Sequence, residues 1–460
     1  MKEYCGLFGI YGHKEASMLI YLGLYALQHR GEESCGIVTA NGKRIYQHRS
    51  MGVISDAFDK ATLKKLKGHC GIGHVRYSTT GSSTLDNAQP FVIKHKRGAI
   101  VIAHNGNLTN SLELKNMLET GGSIIQTSMD SELILHLLVK NKSASIKESL
   151  IKTLPKIRGA YSLLMLADNS MIGVRDPYGF RPLCIGRLKK SFVLASETCA
   201  FDLVNAEYVR DVKPGEIVVI GKNGLESAGF FPPTRKAFCI FEFIYFARPD
   251  SNIFAKNVYI TRKRLGRTLA KEHPVDADFI MPVPDSGTYA ALGFSEESKI
   301  PIEMGLIRNH YIGRTFIQPS QPKRDFNVKI KLNPIRDVLR DKKIVIVEDS
   351  IVRGTTSKIR VRTLRQAGAK EVHMRVSCPP LVAPCYYGID FPTAKELIAS
   401  EHSIEEIRKF VGLDSLKYLS LDGMLESMML PREDFCTACF TKEYPEVIDK
   451  RFTKKGLEVK

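Results

Sequence analysis

The run from Ile344 to Thr356, IVIVEDSIVRGTT, sets a short apolar strand, an acidic pair and a phosphate-binding turn in immediate succession. Ile344 to Val347 is wholly apolar and β-branched, as a parallel strand covered on both faces requires. Glu348 and Asp349 fall at its carboxyl end, the edge at which open α/β sheets bind ligands. Gly354 lets the backbone approach an anion closely, and Thr355, Thr356 and Ser357 offer hydroxyls and amides at the start of a predicted helix. That helix runs through Ile359, Val361 and Leu364 to Gly368, and VHMRVSC supplies the next strand of a βαβ unit. The run has neither the lysine of GxxxxGK[ST] nor the three glycines of GxGxxG, so the P-loop and dinucleotide readings fall away. Acids ahead of the turn suit two ribose hydroxyls and a magnesium ion, while the Thr-Thr end suits a 5′-phosphate.

Outward from this unit, FIMPVPDS, IPIEMGLI, IVIVEDS and VHMRVSC alternate with helical stretches from about residue 240 to 420, the pattern of a doubly wound parallel sheet. Residues 5 to about 230 read differently, as short alternating strands with Gly-rich turns and helices such as Ser17 to Gln28 and Asp130 to Lys140. A layered α/β domain is expected there. The Pro-Pro turn in FFPPTR puts the boundary near Gly229 to Arg235. No internal repeat or low-complexity segment interrupts either half.

A chain of 460 residues with 43% hydrophobic content supports two or three domains, each with its own core. No apolar run is long enough to span a bilayer, and MKEYCGLFGIYG lacks the layout of a signal peptide, so a cytoplasmic protein without membrane contact is expected. Ten cysteines without a secretion signal point to thiol chemistry or metal ligation rather than a disulfide framework. The net charge of +18 raises nucleic acid as a partner. The basic residues are spread along the chain without a nucleic-acid-reading motif, so none is expected, and attraction of anionic small substrates accounts for the excess equally well.

Cys5, followed by GLFGIYG, is the second chemical signal. Were the four preceding residues removed, its thiol would be a nucleophile with the freed α-amine, of pKa about 8, as proton acceptor. Further along stand LQHRGEESCGI (Leu27 to Ile37), GHVRYSTTG (Gly73 to Gly81), AHNGNLTN (Ala103 to Asn110) and SMDSE (Ser128 to Glu132). In order and spacing these segments resemble the glutaminase domain of N-terminal-nucleophile (class II) glutamine amidotransferases. EDSIVRGTT resembles the phosphoribosyl-pyrophosphate (PRPP) motif of type I phosphoribosyltransferases. With ASETCAFD, IYFARPDSN and GLIRNHYIGRTFIQPSQ added, essentially the whole chain resembles the amidophosphoribosyltransferase family, in its iron-sulfur-containing branch.

The resemblance implies an α/β architecture: an N-terminal-nucleophile αββα sandwich followed by a type I phosphoribosyltransferase doubly wound parallel sheet. Residues 1–4 would be a propeptide, 5–235 the glutaminase domain, 236–420 the phosphoribosyltransferase domain and 421–460 a C-terminal segment with iron-sulfur ligands. It also implies roles. Cys5 would form a thioester with the glutamine amide, with Asn105 and Gly106 as oxyanion hole. Arg76 and Asp130 would grip the carboxylate and amine of glutamine. Glu348 and Asp349 would hold ribose hydroxyls and magnesium, and Ser350, Arg353, Gly354, Thr355, Thr356 and Ser357 the phosphate side. Asp285 and Ser286 would belong to the pyrophosphate loop, with Ser286 touching magnesium. Arg314, Thr315 and Phe316 lie in a segment resembling the flexible loop that closes over PRPP, and Tyr245 would line an ammonia channel. One Mg2+ per subunit, purine nucleotide feedback inhibitors and a homotetramer are implied likewise.

By spacing alone, Cys436 and Cys439 in a CxxC, with Cys385 and Cys239, suit a structural zinc, a redox dithiol or an iron-sulfur centre, and Cys378 is an equally good fourth ligand. The resemblance implies one [4Fe-4S] cluster per subunit on Cys239, Cys385, Cys436 and Cys439, leaving Cys35, Cys70, Cys184, Cys199 and Cys378 in the core. Two features depart from the family pattern. Glu348 stands where aspartate is usual, and the leader MKEY is shorter than the usual propeptides. Two other function classes compete: a PRPP-sensing regulator that transfers nothing, and a different class II amidotransferase, which EDSIVRGTT disfavours.

Overall fold

Cys5 leads directly into the strand Gly6–Tyr11, which pairs antiparallel with Cys70–Arg76 on one side and Ser191–Ala195 on the other. Its side chains alternate as a strand buried on both faces demands: Leu7 enters one apolar cluster, Phe8 and Ile10 another. The computed structural model describes residues 5–77, 82–96, 98–141, 143–231, 235–308, 332–391, 393–448 and 457. Among them, one antiparallel sheet has seven strands and a second has six. Leu7, Val38 and Ile72 of the first meet Val101, Ala103 and Leu164 of the second in a shared core. On the outer face of the first sheet, Phe8 and Ile10 pack against Ile20 and Leu24 of the helix Ala16–Ala26. On the outer face of the second, Ile102, Leu163 and Met165 meet Leu133, Ile134 and Leu137 of the helix Asp130–Lys140. The layers are therefore αββα, as expected.

The second half is built on four parallel strands in the order Phe279–Pro282, Lys343–Glu348, Glu371–Val376, Ser415–Tyr418. Ile344 to Val347 are fully buried. The expected strand IPIEMGLI is reduced. Only Ile302 bridges the sheet, on the far side of Ile280, while Leu306–Arg308 pairs with Leu332–Pro334 in a separate ribbon. Pro301 has no N–H to extend the ladder, so one carbonyl from it and one amide from Glu303 hold this edge. Counting Ile302 as the second strand in chain order, the spatial order is 2-1-3-4-5, a doubly wound order whose ligand site falls where strands one and three diverge. Pro284 to Ser286 follow the first of those strands, and Glu348 and Asp349 end the third.

The C-terminal segment folds back onto the start of this half. Phe435–Cys436 pairs in parallel with Phe238–Cys239, setting Cys436 opposite Cys239. The helix Leu421–Ser427 lies against Val258–Glu272, with Ser420 bonded to Glu272 and Thr268 to Ser427. No helix among the described residues is long and apolar enough to cross a membrane.

Candidate active sites

Cys5 is buried, its Sγ 3.6 Å from the carbonyl of Tyr77. Burial pushes the thiol up to about 11, against the pull of the Tyr77 contact and of Arg76. The Cys5 backbone is held from behind: Arg30 Nε donates to its carbonyl at 3.0 Å.

The strand Gly98–Leu108 carries Asn105 and Gly106. Neither amide atom of the buried Asn105 side chain has a hydrogen-bond partner among the described residues. A buried amide left unpaired is costly, and in this place it is what a donor reserved for a reacting oxygen looks like. Gly106 has φ +153 and lies so close to Ala160 that a Cβ would meet its carbonyl oxygen at 2.0 Å, so only glycine fits. Asp130 pins the strand on both sides of this pair. One of its oxygens accepts the Leu108 amide at 2.9 Å and the other stands 3.3 Å from His104 Nδ1. Burial alone would raise this carboxyl, but His104, the Leu108 amide and Ser131 outweigh it and hold it below its ordinary value. Arg76 is fully buried, bonded to Glu33 at 2.8 Å and to the sulfur of Met129, the residue before Asp130. The structure so gathers Arg76 and Asp130 at the edge of the Asn105 strand. It adds Glu33, His104 and Arg30, which sequence reading passed over although all three lie within quoted segments.

Behind Cys5 four fully buried charges interlock. Arg30 bonds Glu197 at 2.5 Å and Glu242 at 2.9 Å, and Arg181 bonds Glu242 at 3.2 Å. Arg181 continues to the Tyr387 carbonyl at 2.8 Å, and the Tyr387 amide donates to Cys385 Sγ at 3.3 Å. Burial by itself would raise Glu197, yet His29 and Arg30 hold it well below the usual carboxylate range.

In the second half, Glu348, Asp349, Ser350, Arg353, Gly354, Thr355, Thr356 and Ser357 line one cavity of about 420 Å³ together with Ser286 and Tyr245. Gly354, at φ +72, caps the twelve-residue helix Thr355–Gln366, whose first N–H groups have no intrahelical partner and so suit an anion. Asp349 accepts hydrogen bonds from the hydroxyls of Ser286 and Ser350. The remaining expected contacts are redistributed. Glu348 is ion-paired with Arg360, and burial pushes its carboxyl up to about 7 despite that partner. Arg353, exposed at the rim, is engaged by Glu396 at 2.7 Å. Asp285 is held by Arg308 and lines a neighbouring cavity of about 410 Å³ with Ser286, Tyr245, Arg248 and His29. Arg314, Thr315 and Phe316 lie outside the described residues, as does the leader.

Hard oxygen donors on two acids and a serine fit magnesium, which takes one or two carboxylates and completes its shell with water and ligand phosphates. The four cysteines Cys239, Cys385, Cys436 and Cys439 line a single small apolar cavity walled by Phe180, Ile240 and Tyr444, and none is in a disulfide. Cys378 does not line it. Burial pushes Cys239 up to about 11 and raises Cys436 and Cys439 well above the ordinary thiol value, the neighbouring thiols adding to the rise at those two. Four cysteine sulfurs around one small cavity are a donor set that could hold a thiophilic metal centre. No three described His, Cys, Asp or Glu side chains converge on a point that would hold one ion.

The site as a whole defines a class, a glutaminase joined to a phosphoribosyl-binding domain. A family model described as "Glutamine amidotransferase domain" matches residues 74–202. An amidophosphoribosyltransferase of Methanocaldococcus jannaschii is 50% identical, the match covering 97% of this chain and 98% of that one. Amidophosphoribosyltransferase 1, chloroplastic, of Arabidopsis thaliana is also 50% identical, over 99% of this chain and 81% of its own. The solved glutamine PRPP amidotransferase of B. subtilis, complexed with ADP and GMP, superposes with a TM-score of 0.92 at 45% identity, covering 99% and 100% of the two chains. The chain belongs to the amidophosphoribosyltransferase family, enzymes of the first step of purine biosynthesis. That membership decides against the regulator that transfers nothing.

Proposed function

We propose that glutamine is hydrolysed at Cys5 and that its amide nitrogen crosses the protein as ammonia to C1 of PRPP, giving 5-phosphoribosylamine, pyrophosphate and glutamate. The observation that carries this is Tyr245. It lines both the cavity that opens at His29, beside the Cys5-holding Arg30, and the cavity of the acidic pair. The steps follow from the residues in place. After removal of residues 1–4 the α-amine of Cys5 would take the thiol proton, Asn105 and the Gly106 amide would stabilise the developing oxyanion, and Arg76 and Asp130 would orient glutamine. Asp349 and Ser286 would hold the ribose and pyrophosphate ends of PRPP, and the Thr355 to Ser357 amides its 5′-phosphate. Magnesium, when bound with PRPP by Glu348, Asp349 and Ser286, supplies charge neutralisation for the leaving pyrophosphate. A [4Fe-4S] cluster on Cys239, Cys385, Cys436 and Cys439 supplies a covalent staple without a redox step. It suits thiols arranged around a cavity better than a single zinc ion, which draws its ligands to about 2.3 Å.

Purine nucleotides are proposed as inhibitors because the B. subtilis relative was solved with ADP and GMP. A homotetramer is proposed on the resemblance alone. The free state of all ten cysteines suits a reducing cytoplasm.

The test is pyrophosphate release from PRPP and magnesium with glutamine or ammonium as donor, on protein purified without oxygen. Turnover with both donors is expected, and Asp349→Asn should impair PRPP use with either one. Silence with both donors despite PRPP binding would overturn the proposal. Cys439→Ser should lose iron and melt at a lower temperature; a stable, fully active, iron-free variant would refute a structural cluster.

A further inference from the structure

The buried stripe of the helix Thr355–Gln366 consists of Ser357, Arg360, Val361 and Leu364, the spacing that a helix reserves for apolar residues facing its core. An arginine there is out of place, yet Arg360 is only 8% exposed. It ends instead in the sugar-phosphate cavity, among Glu348, Asp349 and the first turn of its own helix. Its Nη1 donates to Glu348. Its Nε–H is buried and has no hydrogen-bond partner among the described residues. A donor kept dry and unpaired on the wall of a binding cavity is poised for a ligand oxygen. Glu348 explains the rest of the geometry. The methylene it has beyond the usual aspartate gives its carboxylate extra reach toward Arg360, so the long acid and the misplaced arginine complement each other.

We propose that Arg360 is a further ligand-binding residue of this cavity, acting as one unit with Glu348: Nη1 orients the Glu348 carboxylate, and Nε–H donates to an oxygen of the bound 5-phosphoribosyl group. This rests on reading the cavity as the PRPP site. The phosphoribosyl end is the relevant one because Arg360 shares its cavity with Thr355 to Ser357, whereas Asp285 and Arg308 of the pyrophosphate side line the neighbouring one. An arginine serving only to neutralise Glu348 would be replaced in full by lysine, which keeps the charge.

Ribose 5-phosphate and inorganic pyrophosphate, titrated separately against the full-length protein by calorimetry and as inhibitors of ammonium-dependent turnover, separate the two ends. Arg360→Met should weaken ribose 5-phosphate about ten- to a hundredfold, the range of a lost charge-assisted hydrogen bond, and leave pyrophosphate within about twofold. Arg360→Lys keeps a cation beside Glu348 but lacks the Nε donor, so it should recover only part of the loss. Arg360→Lys carries the test if Arg360→Met fails to fold. Arg360→Met or Arg360→Lys with parental melting and parental affinity for both probes would overturn the proposal. A parent protein that binds neither PRPP nor ribose 5-phosphate would overturn the reading of the cavity itself, and the role of Arg360 with it.

Discussion

Replacing Cys5 by alanine is expected to abolish glutamine-dependent synthesis, by a factor on the order of a million as for loss of other catalytic nucleophiles, while ammonium-dependent synthesis continues. The asymmetry follows from the distribution of groups. Arg76 and Asn105 stand on strands of the paired antiparallel sheets and Cys5 leads into one, whereas Asp349, Ser286 and the start of the helix Thr355–Gln366 follow strands of the parallel sheet. Ammonium supplied from solution needs only the second set. The substitution deletes a single sulfur atom, leaving a small cavity at this buried position whose cost, on the order of 1 kcal/mol, the fold should tolerate. Pyrophosphate release measured with each donor decides the matter: equal loss of both activities would contradict the two-site scheme.

The second large effect is expected at Glu242. Its side chain is fully buried and takes two arginines, Arg30 at 2.9 Å and Arg181 at 3.2 Å. Glu242→Gln keeps the shape but leaves two buried cations sharing the single charge of Glu197, and stability should fall by about 3–5 kcal/mol. Denaturation followed by calorimetry measures the loss. Because Arg30 also holds the Cys5 carbonyl, glutamine turnover should fall more than ammonium turnover in the folded fraction. The sign of the pH dependence is fixed by Glu197, whose carboxyl is held below its unfolded value. Its contribution to stability is present above pH about 4.5 and is lost as pH falls through the lower, folded value. Glu197→Gln should flatten that acid limb. A Glu242→Gln protein that melts with the parent would show the network to be dispensable.

Local patterns in the sequence carried the elements well where one residue period dominates. The helix Asp130–Lys140 and the strand Lys343–Glu348 lie where their periodicities put them, and the helix expected over Ser17 to Gln28 runs from Ala16 to Ala26 before tightening into a 3₁₀ turn. IPIEMGLI misled because its apolar content matches a strand while Pro301 denies it a ladder. The site was legible wherever chemistry is local, as in Glu348-Asp349 followed by Gly354. It was not legible where partners come from afar: Arg30 and Glu242 stand 212 positions apart, and no period in the chain signals their meeting. Arg360 was hidden for another reason, since an arginine in KIRVRTLRQ reads as the solvated face of a helix. Only its burial reveals that it points inward.

The parallel pairing of Phe238–Cys239 with Phe435–Cys436 has a consequence for how the molecule is made. Synthesis proceeds from the N-terminus at about 5–20 residues per second, so Cys239 leaves the ribosome well before the partner that completes its cavity. Through that interval the glutaminase sheets, the Lys343–Glu348 strand and the contacts of Arg30 and Arg181 with Glu242 can already form, but the pairing of Cys239 with Cys436 cannot. That fastening waits for Cys436 and Cys439: a chain terminated early would carry both halves without the clasp that ties the C-terminal segment to the start of the second.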